Sequence, residues 1–165
     1  MFHGLPHPWF VRSCTTLLLV FAAISCSEFQ RADPLVGTWT LNLQRSKFSP
    51  GPAPKNIIVT YEQTNAGLHV VSVVELPDGS NARSEYTAGY DGKDYPITGV
   101  PAVESVQLRQ IDALTTERID KKGGQRVQSY MRQVYADGKT MVVTQKGTSD
   151  TGSPIENVMT FDKKS

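Results

Sequence analysis

The sequence predicts an all-β domain, an up-and-down antiparallel meander of about eight to ten strands closed into a barrel. Glycine-bearing turn sequences recur at short intervals, at Asn65-Ala66-Gly67, Asp78-Gly79, Asp91-Gly92, Gly123-Gly124, Asp137-Gly138 and Asp150-Thr151-Gly152. Such groups supply the φ > 0 positions that hairpin turns require. The segments between them are short and rich in Val, Ile, Thr, Tyr and Phe, as expected of a meander. Several of them alternate with a period of two, the mark of a strand with one buried face. No window carries a sustained apolar stripe at helical spacing with good caps.

The chain begins with a weakly basic stretch whose only basic side chain besides histidine is Arg12, followed by the apolar run Leu17 to Ile24 and then Ser25 and Cys26. This is the layout of a secretory signal over residues 1–25. A spanning helix needs about 20 apolar residues, and Arg12 blocks extension of the run to that length. Ala22, Ala23 and Ser25 before Cys26 resemble the bacterial lipoprotein signal, with Ala23 where leucine is usual. The resemblance implies acylation of Cys26, a lipid anchor to the membrane and, because Ser27 is not aspartate, the periplasmic face of the outer membrane. The alternative is cleavage after Ser25 by an ordinary signal peptidase, leaving a soluble periplasmic or secreted protein with a free thiol. Cys14 is removed in both cases, so Cys26 has no intramolecular partner, and a lone thiol in an oxidising compartment favours acylation.

Residues 26–33 then form the modified cysteine and a polar tether, and 34–165 the barrel domain. Of the 17 basic residues only Arg12 precedes Cys26, and none of the 16 acids does, so the mature chain is formally neutral. Nucleic acid is a poor partner for such a chain. The 139 residues after Cys26 suffice for one core without disulfides.

Taken in order, Trp39, Leu41 and Leu43 oppose Thr38, Thr40 and Asn42 on a first strand. Ser49 to Pro54 follows as an extended loop, since alternate prolines remove donors and fix φ. Ile57, Val59 and Tyr61 share one face of the next strand, and His69 lies on the one after it. Tyr86, Ala88 and Tyr90 alternate with Glu85 and Thr87. Tyr130 shares a face with Arg126, Gln128 and Arg132, and Met141 and Val143 oppose Thr140, Val142 and Thr144.

Val36-Gly37-Thr38-Trp39-Thr40-Leu41 resembles the Gly-x-Trp opening of the lipocalin and fatty-acid-binding-protein group, and is most similar to the fatty-acid-binding branch. The resemblance implies a lipocalin-like barrel in which Trp39 closes one end and Gly37 permits close approach of the first strand. Two departures stand out. Gln44 to Lys55 is too short and proline-rich for the two-helix lid of fatty-acid-binding proteins. The last strand, Met159-Thr160-Phe161-Asp162-Lys163, lacks their carboxylate-binding Arg-x-Tyr pair.

Tyr86, Tyr90, Tyr130 and Arg132 are the candidates for lining a ligand cavity, an apolar wall with a few polar groups. The alternative is a filled core with tyrosine tips at the rim and Arg109, Arg118, Arg126 and Arg132 on the solvent side, as exposed sheet faces are routinely charged. His69 has no second His or Cys to complete a metal site, so no metal or cofactor is expected. Glu75, Glu85, Glu104, Glu117 and Glu156 form no diagnostic pair, and nucleophile-elbow and phosphate-loop motifs are missing. No catalytic residues are assigned, and an enzyme is unsupported. The expected function is a cell-envelope binding module for a small apolar or amphipathic molecule. The alternative is an interaction or inhibitor scaffold that meets an envelope protein through the Gln44 to Lys55 loop or the hairpin tips.

Overall fold

The computed structural model describes residues 32–149 and 152–165, together with Met1. The signal segment, Cys26 and the tether up to Arg31 lie outside the described residues. Ala32–Ser165 forms one compact unit. Its ten strands are β1 (Gly37–Lys47), β2 (Asn56–Thr64), β3 (Gly67–Glu75), β4 (Asn81–Ala88), β5 (Asp91–Thr98), β6 (Ser105–Gln110), β7 (Thr115–Lys122), β8 (Gln125–Val134), β9 (Thr140–Thr148) and β10 (Pro154–Lys163). Each pairs with the next along the chain, and β1 pairs with β10 to close the barrel. The expected all-β meander is the observed fold, a closed barrel of ten antiparallel strands.

Antiparallel order divides the connections between two ends. The chain enters beside the β2–β3, β4–β5, β6–β7 and β8–β9 connections, and the other five connections lie at the opposite end. The entry end is filled: Leu35, Trp39, Leu68, Val134 and Met141 are all buried there. Trp39 donates from Nε1 to the Leu35 carbonyl at 2.7 Å, so burial leaves its one polar atom satisfied. Gly37 opens β1 beneath the Lys163 side chain, whose ammonium lies 5.1 Å from the Trp39 ring centroid.

The alternation read from the sequence holds for Val59 and Tyr61, for Met141 and Val143, and for Trp39 and Leu41, all of which are buried. Leu43 departs from it and is 42 % exposed. The β1–β10 register shifts between Asn42 and Lys47. Within the shift the Ser46 hydroxyl donates to the Asn42 carbonyl at 2.7 Å and accepts from the Thr160 amide at 2.9 Å, standing in for a backbone rung. A bulge of this kind ends the simple alternation.

Asp91-Gly92 is likewise not a hairpin turn. The chain reverses at Gly89 and Tyr90, and Gly92, at φ +71°, lies inside β5 where its register against β6 shifts. Tyr90 therefore stands in a connection rather than on the strand of Tyr86 and Ala88. The β4–β5 seam is the weakest in the barrel, with Glu85 opposite Thr98 and Tyr86 opposite Ile97 as its only paired positions.

Gly99, just past that seam, packs against β4 at φ +82°, and a Cβ there would fall 1.8 Å from the Arg83 carbonyl oxygen. Because that oxygen belongs to the backbone, nothing flexible can yield. Gly99→Ala is expected to cost about 3 kcal/mol, whereas Gly51→Ala, in open space, should stay within about 0.5 kcal/mol of the parent. Urea unfolding of the two variants measures the difference.

Candidate functional site

The end opposite Trp39 is hollow, with a cavity of about 380 Å³. That lies within the range of small-molecule sites, roughly 300–1,000 Å³. Phe48, Pro50, Pro52 and Pro54 of the β1–β2 connection line its mouth, joined by Leu76 and Val100 from neighbouring connections. Proline suits this position because it has no amide donor to satisfy against an apolar space. The strap is fastened at one end, where the Ser49 amide donates to Asn157 Oδ1 at 2.8 Å and the Glu156 amide donates to the Ser49 carbonyl at 2.8 Å.

Below the mouth lies a layer of charge. Arg118 on β7 and Arg132 on β8 point inward, only 9 % and 4 % exposed, and Asp120 beside them is 1 % exposed. A buried charge is costly unless paired and hydrogen-bonded. Arg118 meets both conditions: Nε and Nη2 donate to the two carboxylate oxygens of Asp120, the second at 2.7 Å, and its guanidinium sits 4.9 Å from the ring centroids of both Tyr86 and Tyr130. Burial works against the charge of Arg118, and Tyr86, Asp120 and Tyr130 outweigh it, holding the guanidinium protonated.

Arg132 is less well served. Its Nη2 donates to the Tyr86 hydroxyl at 3.1 Å and its guanidinium lies 5.7 Å from the Tyr61 ring centroid. Nη1 has no protein acceptor, and among the described residues no carboxylate lies within ion-pair distance of Arg132. On the neighbouring strand Thr116, the pairing partner of Arg132, also keeps an unpartnered buried hydroxyl. Burial disfavours the phenolates of Tyr61 and Tyr130, and although nearby arginines pull the other way, Tyr61 is raised and Tyr130 is pushed up to about 12. Both are neutral hydroxyls at physiological pH.

The four residues singled out as cavity candidates occupy three places. Tyr130 and Arg132 line the cavity. Tyr86 joins the two arginines, its ring against Arg118 and its hydroxyl on Arg132. Tyr90 fastens the entry segment, donating to Asp33 Oδ2 at 2.6 Å, and its phenol is raised by burial and by that hydrogen bond. The solvent-side alternative holds for Arg109 and Arg126, which are exposed, and fails for Arg118 and Arg132. The physical reason is compensation: the ion pair and the tyrosine rings make an interior position tolerable for these two guanidinium groups. His69 lies in the sheet, its Nδ1 3.0 Å from the Thr87 hydroxyl and its Nε2 3.5 Å from Glu85.

The pair Arg118 and Asp120 was not legible as a site. In Thr115–Lys122 the apolar residue is Ile119, so hydropathy alternation would turn Ile119 inward and the charged residues out. Thr116, Arg118 and Asp120 nevertheless share the inner face. Gln145 and Asn157, which also line the cavity, gave no signal because amides are common on either face.

Neither a protein-family model nor a characterised protein sequence matches the chain. Among solved structures it is similar to zebrafish ileal bile acid-binding protein complexed with cholic acid, at 9 % identity over 79 % of this chain and 99 % of that one, with a TM-score of 0.47. It is also similar to the siderocalin Ex-FABP, which functions through dual ligand specificities, at 10 % identity over 79 % of this chain and 74 % of that one, with a TM-score of 0.37. Both are likenesses of backbone course at low identity.

Asp120→Asn, which removes the charge opposite Arg118 while keeping the side-chain shape, is expected to destabilise the barrel by about 3 kcal/mol. The double variant Arg118→Met/Asp120→Leu should recover most of that loss, because it leaves no uncompensated charge. Urea unfolding reads both.

Proposed function

We propose that the protein is a binding module for a small amphipathic molecule that carries one acidic group, seated with that group against Arg132. One observation carries the reading: a guanidinium more than nine-tenths buried at the cavity wall whose Nη1 has no protein acceptor. A charged donor left unpaired in a low-dielectric interior is costly, and an anion entering the cavity relieves that cost with a charge-assisted hydrogen bond. The preference is for a monoanion because Asp120 already neutralises Arg118. Ile57, Val59 and Val74 offer the remainder of the ligand a hydrocarbon wall.

The reading also takes the protein as an exported lipoprotein, held through Cys26 on the periplasmic face of the outer membrane. The apolar run Leu17 to Ile24, the small residues before Cys26 and the absence of a second cysteine from the sequence after it support it. The proline strap lines the cavity mouth, which favours a ligand site there over a scaffold whose loop serves only to touch another protein.

Arg132→Leu should weaken binding of hexadecanoate by about 10- to 100-fold, the worth of one charge-assisted contact, and leave binding of neutral hexadecanol within about threefold. Arg132→Lys should retain part of the preference for the acid. Calorimetric titration tests this, and equal losses for acid and alcohol would overturn the assignment of Arg132. For the anchor, Cys26→Ala is expected to move the protein from the membrane to the soluble fraction; unchanged fractionation would remove the lipid from the account.

A further inference from the structure

The two ends of the barrel differ on the outside as well as within. Among the described residues of the barrel, the most exposed large apolar side chains are Ile111 in the β6–β7 connection, at 55 %, and Tyr135 in the β8–β9 connection, at 45 %. Both connections belong to the entry end, and the Val134 amide ties them together by donating to the Leu114 carbonyl at 2.9 Å. Ala113 and Ala136 beside them are exposed as well. Apolar residues scattered over a surface need no explanation, but neighbours gathered at one end of a closed barrel form a patch. Lys139 and Lys164 are exposed at the same end. Asp112 and Asp137 offset their charge, each carboxylate turned back into its own turn, on the Leu114 amide at 2.8 Å and on the Lys139 amide at 2.8 Å. Hydrocarbon, more than net charge, marks this face.

The chain enters the barrel at this same end, and its point of entry is fixed. The Tyr90 hydroxyl donates to Asp33 Oδ2 at 2.6 Å, the Leu35 amide to Asp33 Oδ1 at 2.9 Å and the Val36 amide to the Asp33 carbonyl at 3.0 Å. Seven residue steps separate Cys26 from Asp33, a reach of about 25 Å at full extension. Nine-residue strands such as β2 and β3, tilted by roughly 40°, rise about 20 Å along a barrel axis, and the connections at the mouth stand beyond them. An anchor at Cys26 could bring the mouth to the bilayer only with the tether stretched taut along the wall, at the cost of nearly all its conformational freedom. With the entry end towards the bilayer, the tether needs no such extension.

We propose that the entry end is a membrane-docking face, with Ile111 and Tyr135 set into the surface of the bilayer that holds the Cys26 lipid and the cavity mouth directed away from it. This rests on the lipoprotein reading above and adds to it the orientation of the barrel. Tyrosine suits such an interface, because its ring meets hydrocarbon while its hydroxyl meets water. The long stems of Lys139 and Lys164 let their ammonium groups stay among the headgroups. In this orientation the cavity exchanges its ligand with the aqueous compartment, and not with the lipids beneath the barrel.

Spin labels at Gly51→Cys, in open space on the strap, and at Ala136→Cys, beside Tyr135, test this when introduced singly into the acylated mature chain in vesicles of phosphatidylethanolamine and phosphatidylglycerol. The Ala136 label should be shielded from a water-soluble nickel chelate and reached by oxygen, while the Gly51 label stays open to the chelate. Adding Ile111→Ser/Tyr135→Ser should remove the shielding at Ala136. An unchanged thermal transition would show the barrel intact, and the single variant Ile111→Ser repeats the comparison if the double variant does not fold. A shielded Gly51 label, an open Ala136 label in the parent, or shielding that survives the substitutions would overturn the proposal and leave the anchor standing. Dipolar broadening between Ala136 labels would place a second copy of the chain on this face and overturn it as well. If mass spectrometry finds no lipid on Cys26, the anchor reading fails, and this inference with it.

Discussion

Pairing of β1 with β10 is the constraint on which the rest of the molecule depends, because closure is what gives the sheet an inside. An open ten-stranded meander would expose two edges and one apolar face. Closed, every strand has two neighbours and the inward positions are removed from water together. The contact is made even though β1 does not run cleanly: past Asn42 the ladder shifts, and the Ser46 hydroxyl takes the place of a backbone group against Thr160. The polar bookkeeping of the bulge is therefore met, and the chain is free to leave the sheet towards the proline strap that lines the cavity mouth.

Closure also sets a problem that the interior solves unevenly. The entry end is filled by Trp39 and its aliphatic neighbours, a packing that needs no polar partner beyond the Leu35 carbonyl. Further in, two guanidinium groups are taken out of water. Arg118 has a carboxylate and two aromatic faces, which makes it a structural element. Arg132, two rungs away on the next strand, has one hydroxyl, one ring and a donor to spare. Tyr86 contacts both cations, so the stability of the structural pair and the geometry of the unpaired group are linked through one side chain.

The fold was legible in the sequence wherever one face of a strand was apolar and the other polar. Val59 and Tyr61, and Met141 and Val143, could be turned inward from their spacing alone. Alternation failed at register shifts, one of which turns Arg126 out of the face it shares in the sequence with Tyr130, and in one strand with two polar faces. At Leu43 a bulge broke the period, and bulges are set by which hydroxyl reaches which amide across the sheet. In β7 both faces are polar or charged apart from Ile119, so hydropathy pointed the wrong way. Of the candidate site, Tyr130 and Arg132 lay on one predicted face and Arg118 and Asp120 fell under the second failure, while Gln145 and Asn157 stand in phase with the buried Met141 and Val143 and with Met159 and Phe161 but carry amides that gave no signal of their own. Tyr90 shows the converse, since a residue spaced as though it continued a strand proved to lie in the reversal and to hold the entry segment through Asp33.

By itself, then, the sequence determined the class of fold, most of the turns and the inward faces of the apolar strands, because these follow from local chemistry: glycine at φ > 0, proline without a donor, alternation with a period of two. Only the tertiary structure decided which charges are inside and which of them is paired. Arg132 and Tyr86 are 46 residues apart along the chain, and Asn157 and Ser49 are 108. Contacts at such separations depend on closure and register, and on whether each buried group finds a partner there, quantities that no local pattern encodes.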